Sequence, residues 1–79
     1  MSDDVAEKVL AEKTGHYLKV ELKRANVTYE GLAERLKHIG IHETKASIAS
    51  KIGRGTFSAT FLVATLKAIG KETMVIGDI

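Results

Sequence analysis

The 79 residues contain no cysteine, no proline and no tryptophan, and the only aromatic side chains are Tyr17, Tyr29, Phe57 and Phe61. Without cysteine, neither a disulfide nor a thiolate metal site can reinforce the fold. A chain of this length buries only about 60% of the surface its unfolded form exposes, so its stability margin is narrow. Association with a second copy is the remaining simple reinforcement. No apolar run approaches the roughly 20 residues of a membrane span. The acidic start lacks the basic-then-apolar pattern of a signal peptide, so a cytoplasmic or nucleoid location and no membrane partner are expected. The four aromatics are spread over different segments at apolar positions, which favours core packing over a stacking platform for single-stranded bases. Neither a GxxxxGKS/T loop nor a GxGxxG turn is present. His16, His38, His42 and the scattered Ser and Asp residues form no nucleophile–base spacing, so no enzyme activity and no cofactor are expected. His38 and His42 lie four apart, but Gly40 falls between them and ends the helix that would align them, so they read as surface histidines and not as metal ligands.

What is present is a globular composition, 44% apolar, with a formal net charge of +2 that hides an uneven layout. Residues 1–12 carry Asp3, Asp4, Glu7 and Glu12 against Lys8. The middle of the chain, residues 13–71, carries eleven Lys or Arg against Glu21, Glu30, Glu34 and Glu43. Glu72 and Asp78 make the end acidic again. A basic middle between acidic ends suits a polyanion, and a solvated lysine-rich surface has the same composition.

In chain order, Ser2, Asp3 and Asp4 are helix-start residues, and Asp4 with Glu7 sets negative charge in a first turn. Val5, Val9 and Leu10 follow at helical spacing. From His16 onward, Tyr17, Leu18, Leu22 and Ala25 form a stripe, with Lys19, Glu21, Lys23 and Arg24 outside it and Asn26 as a stop. Thr14-Gly15 leaves open whether residues 3–25 form one helix or two, since a helical glycine costs only about 1 kcal/mol. Thr28 caps the next helix, with Val27 stapled against Leu32, and Leu32, Ala33, Leu36 and Ile39 form its buried stripe up to Gly40. Ile41 anchors the turn. Thr44 caps a third segment with Ile48, Ala49 and Ile52 inward, ended by Gly53 and Gly55. Lys45, Ala46, Ser47, Ser50, Lys51 and Arg54 then face wholly or partly outward. Small residues on an exposed helix let its backbone approach another surface, whereas a purely solvated helix is usually filled with Glu and Lys. Phe57 plugs the core and Ser58 caps a last helix, residues 59–69, whose apolar content (Phe61, Leu62, Val63, Leu66, Ala68, Ile69) suits a central position or a subunit contact. Thr73-Met74-Val75-Ile76 favours a short extended segment, which pairs with its copy in a second chain or packs on the core.

Two short helices joined by a turn are the helix-turn-helix unit, whose second helix can enter a major groove. Val27-Thr28-Tyr29-Glu30-Gly31-Leu32-Ala33-Glu34-Arg35-Leu36, Ile52-Gly53-Arg54-Gly55 and the closing Lys67-Ala68-Ile69-Gly70 resemble the Cro/CI-like (lambda-repressor-like) helix-turn-helix family. The block Arg54-Gly55-Thr56-Phe57-Ser58-Ala59 also resembles small bacterial proteins grouped as a domain of unknown function. Three features differ from the Cro/CI pattern. The stretch 37–43 is several residues longer than that family's tight turn, so either the second helix is extended or the turn is rebuilt. Tyr29 stands where Gln is frequent, and Gly53 where Glu is frequent.

The resemblance implies an all-α, four- to five-helix lambda-repressor-like helix-turn-helix domain, to which the extended propensity of residues 73–76 adds the option of a short C-terminal strand. The whole chain, 1–79, forms one domain: a core over 14–70, an N-terminal helical extension over 3–13 and a tail over 71–79. The implied function is sequence-specific binding of double-stranded DNA by a homodimeric bacterial or phage transcription regulator, with the helix near 44–54 as recognition helix. Thr44, Lys45, Ser47, Ser50 and Lys51 have the chemistry for base edges, and Arg54 for phosphate. The free N–H groups near Thr56 and Ser58 suit a further phosphate, as does the cap at Thr28 with the Tyr29 hydroxyl. The alternative is a protein-interaction or oligomerisation module on the same fold, without DNA binding.

Overall fold

The computed structural model describes residues 3–79, and among them the regular structure is helical throughout. Four α-helices follow in order: α1 (Asp3–Arg24), α2 (Tyr29–His38), α3 (Lys45–Arg54) and α4 (Ala59–Ala68), with a 3₁₀ turn at Ile76–Asp78. Ser2, expected to help start α1, lies outside the described residues.

α1 is one continuous helix of 22 residues. Gly15 does not break it. Its missing side chain lets α1 cross the end of α3 backbone to backbone, and a Cβ there would stand 2.3 Å from the Ile52 carbonyl oxygen. Gly55 completes the crossing from the other side. It caps α3 in the left-handed region (φ 68°), and a Cβ on it would fall 1.7 Å from the Ala11 carbonyl oxygen. Two glycines 40 positions apart in the chain are thus required by a single contact.

The helix starts are set locally. Thr28 Oγ1 accepts from Gly31 N at 3.0 Å, and Ser58 Oγ accepts from Phe61 N at 3.0 Å. At α3 the cap is reciprocal: Thr44 Oγ1 accepts from Ser47 N at 3.0 Å while Ser47 Oγ accepts from Thr44 N at 2.8 Å. Each cap satisfies amide donors that have no partner inside the helix. α2 stops at His38, so the six residues 39–44 form a rebuilt turn, not an extended helix. The Ile41 amide folds back onto the Leu36 carbonyl at 2.9 Å and brings Ile41 against the core.

Tyr17, Leu18 and Leu22 of α1 meet Leu32 and Leu36 of α2, Ile48 and Ile52 of α3, and Phe61, Ala64 and Leu66 of α4 in one cluster that includes Val27. Several expected positions differ. Ala25, Ile39 and Ala49 are exposed: Ile39 sits at the α2 terminus, where the chain turns away, and Ala49 lies on the side of α3 that no helix covers. Glu21, expected outside, is buried, because the tail closes over it: its carboxylate lies 3.3 Å from Arg24 Nη1 and 3.3 Å from Lys71 Nζ. α3 runs through Gly53 and ends only at Gly55. No strand occurs among the described residues. In the stretch 73–76, Met74 packs on the core while Val75 and Ile76 are exposed, and the backbone then tightens into the 3₁₀ turn. An extended propensity without a neighbouring edge to bond has nothing to hold it as sheet.

Candidate nucleic-acid interface

α3 is backed by α1 and α2 and leaves one side uncovered. Ile48 and Ile52 point inward, and Ala46, Ala49, Ser50 and Gly53 occupy the exposed side. At 100° per residue these four fall on one face, with Lys45 at the start of the helix and Arg54 at its end. The face is low and smooth, and its only side-chain hydrogen-bonding group is the Ser50 hydroxyl.

The residues expected to contact DNA fall into two groups around this face. The first gathers the starts of α2 and α3. Lys45 Nζ lies 3.3 Å from Glu30 Oε1, which sets Lys45 beside the Thr28–Tyr29 end of α2. Both partners are well exposed, and such a pair is worth only about 0.2–1 kcal/mol, so Lys45 can readily exchange Glu30 for another anion. Thr44 and Ser47 are engaged in the α3 cap, and the Ser47 hydroxyl also donates to Glu43 Oε1 at 2.6 Å. Tyr29 is half-buried, and burial raises its phenol pKa. It lines a shallow groove with His16, Lys19, Lys23 and Thr28. Lys19 and Lys23 were not among the expected contacts. Their i,i+4 spacing just before the Thr28 cap is the signal that marks them.

The second group lies at the end of α3. Arg54 and Thr56 are exposed and share a groove with Glu7, Lys8, Ala11 and Glu12 of α1. Lys51 differs from expectation. Its ammonium donates to the Glu43 carboxylate and sits 5.0 Å from the centre of the Phe61 ring, which in turn packs on Phe57 with ring centroids 5.4 Å apart. Burial alone would raise the Glu43 pKa, but hydrogen bonds from Lys51 and Ser47 overcome that and hold it below the ordinary carboxylate range. Glu43, Ser47, Lys51 and Phe61 therefore clamp the turn, α3 and α4 together. Ser58 is the cap of α4, and its hydroxyl accepts from the helix it starts.

His38 Nε2 lies 3.8 Å from Glu34 Oε1, one turn back on α2, and Gly40 (φ 83°) separates it from His42. Among the described residues, no group of three or more His, Cys, Asp or Glu converges as metal ligands, and no helix is long and apolar enough to cross a membrane.

The model of a family described as a domain of unknown function (DUF6471) matches residues 10–74. The chain belongs to that family. The matched DUF6471 segment takes in all of α2, α3 and α4, and it includes the block 54–59 that carried the corresponding resemblance. It leaves out the first seven residues of α1, Asp3 among them, and the 3₁₀ turn. Among curated proteins and among solved structures, nothing matches the chain.

Proposed function

We propose that this DUF6471 domain is a helix-turn-helix domain of the lambda-repressor-like kind that binds double-stranded DNA as a homodimeric transcription regulator, with α3 as recognition helix. The observation that carries the reading is the uncovered side of α3. Ala46, Ala49, Ser50 and Gly53 keep the backbone low, so the helix can lie deep in a major groove. Ser50 then meets base edges, Lys45 and Arg54 take phosphates at the two ends, and Lys19 and Lys23 extend the cationic track beside Thr28. Lys51 supports α3 from behind and is not assigned a base contact.

A second reading has its own support. The ion pairs of Lys45 and Lys51, and Glu7 and Glu12 beside Arg54, reduce the positive field around α3. A smooth face with little net charge also suits a protein partner.

The experiment is fluorescence anisotropy with a random-sequence duplex pool over a salt series, followed by selection of enriched sites. Affinity that falls steeply with salt, with an enriched motif, is the expected outcome. Arg54→Ala should reduce the salt slope by about one phosphate contact. Gly53→Leu should abolish binding while the fold persists. No binding at low salt by folded protein leaves the protein-partner reading in its place.

A further inference from the structure

Past Lys71, the chain lies on the helical body without a backbone bond to it. The Lys71 amide still donates to the Leu66 carbonyl at 2.9 Å, next to Gly70 in the left-handed region (φ 76°). From Glu72 to Ile79 the backbone bonds only to itself among the described residues: Asp78 N donates to Val75 O and Ile79 N to Ile76 O, each at 3.0 Å. Met74 and Ile79 pack on the core, while Val75 and Ile76 are exposed. Fixing residues 72–79 costs backbone entropy at every position, and two partly buried side chains offset little of it. Beneath this segment lies an uncompensated group. Tyr17 is 7% exposed, and its hydroxyl is buried without a hydrogen-bond partner among the described residues. An unpaired buried hydroxyl raises the free energy of the closed form, whereas water pairs it in an open one. Tyr17 lines a groove of about 620 Å³ with Val20, Glu21, Arg24, Asp78 and Ile79, so α1 forms one wall and the tail another. Burial is the main cause that raises the phenol pKa; Glu21 and Asp78 add to the rise, and Lys71 and Arg24 oppose it.

We propose that residues 72–79 are a strap that opens about Gly70 and Lys71 while α1 to α4 stay folded, and that its opening uncovers the Tyr17 hydroxyl. Two observations meet here. The segment is held by few contacts, and closing it traps a polar group that open solvent satisfies. Both lower the cost of opening relative to unfolding the whole domain. The Lys71–Glu21 pair, at 3.3 Å, sits at the root of the strap, where the Lys71 amide fixes the backbone, so it stays with the helical body. In the open form Tyr17, Glu21 and Arg24 share one accessible polar cleft on α1, and Met74 and Ile79 have left the core. The strap makes that cleft conditional: anything that bonds the phenol meets only the open fraction, so its apparent affinity is set by the opening equilibrium. The device does not depend on α3 binding DNA, and the two can fail separately.

The chain has no cysteine, so a single introduced thiol reports alone. The test is the rate at which iodoacetamide labels the Met74→Cys thiol, in water and in urea below the unfolding transition. The Ala64→Cys thiol, buried in α4, is the reference for unfolding of the whole domain. The tail thiol should label about tenfold faster than the reference or more, with little dependence on urea, because a local opening exposes little surface. It should still label more slowly than the same thiol in the urea-unfolded chain. Adding Tyr17→Phe should slow the tail thiol about fivefold or more, because the closed strap then traps no hydroxyl. If Met74→Cys lowers the helical circular dichroism, Ile79→Cys, the other tail side chain on the core, becomes the probe with the same expectations. Equal rates and equal urea slopes for the tail and reference thiols overturn the proposal, since the tail then opens only with the domain. So does a tail thiol as reactive as in the unfolded chain, which leaves no closed strap. A labelling rate indifferent to Tyr17→Phe removes the hydroxyl from the device and overturns it as well.

Discussion

Gly53 and Gly55 stand two residues apart at the end of α3, and alanine at each should have opposite effects. Gly53 is helical and exposed, and a Cβ there meets nothing within 4 Å. Alanine removes backbone freedom from the unfolded chain at no steric cost, which is worth about 0.5–1 kcal/mol in a helix. For a domain of this size that is a rise in Tm of about 2–8 °C. At Gly55 the backbone is left-handed (φ 68°), which alone costs an alanine about 1–2 kcal/mol. Its Cβ would also fall 1.7 Å from the Ala11 carbonyl oxygen, an overlap with backbone that no side-chain rotation relieves. α1 must then lift from α3, uncovering part of Ile52 and losing packing in addition. The expected loss is more than about 2 kcal/mol, or roughly 8 °C and upward in Tm. The assay is thermal unfolding followed by circular dichroism at one fixed protein concentration, because the Tm of a self-associating chain depends on concentration. A Gly55→Ala melting point within about 2 °C of wild type would refute the backbone-on-backbone crossing. A clearly lowered Gly53→Ala melting point would refute the open environment assigned to Gly53.

Four further outcomes follow from the same structure. Gly15→Ala should destabilise like Gly55→Ala, because its Cβ would sit 2.3 Å from the Ile52 carbonyl, and the two variants combined should cost less than their sum because they break one contact. Lys51→Met keeps an apolar stem over Phe61 but removes the partner of Glu43, and chemical denaturation at neutral pH should show a loss of about 1.5–3 kcal/mol. The pH dependence has a definite sign: Glu43 is depressed below its ordinary value of 4.5, so its contribution is present above that pH and is lost as pH falls through the folded-state value; in Lys51→Met this acid-side loss should shrink. Thr65 is fully buried with a hydroxyl that has no hydrogen-bond partner, so Thr65→Val should stabilise by about 1 kcal/mol in urea unfolding, and a destabilised variant would reveal a bond to that hydroxyl.

Much of the helical frame was legible in the residues. Thr28, Thr44 and Ser58 were readable as caps because a cap is a contact across three residues, and Leu18, Leu22, Leu32, Leu36, Ile48 and Ile52 as core because helical periodicity repeats locally. Periodicity identifies a stripe but not what covers it. Glu21 looked solvated on the wheel and is enclosed by the tail through Lys71. Ala49 looked buried and lies on the open side of α3. Within the candidate site, Ala46, Ser50 and Arg54 lie exposed and Lys51 partly so, as expected, whereas the engagement of Lys51 was not legible, because its acceptor Glu43 lies in the turn and its ring partner Phe61 in the next helix.

The sequence by itself determined a helical frame without disulfides, the positions of three helix starts and most of the buried stripes. These depend on interactions within one or two turns. The tertiary structure decided which cations are engaged, which glycines are indispensable and which side of α3 is open. Each of those depends on residues distant in the chain meeting in space: Gly15 needs Gly55, Glu21 needs Lys71, and Lys51 needs both Glu43 and Phe61.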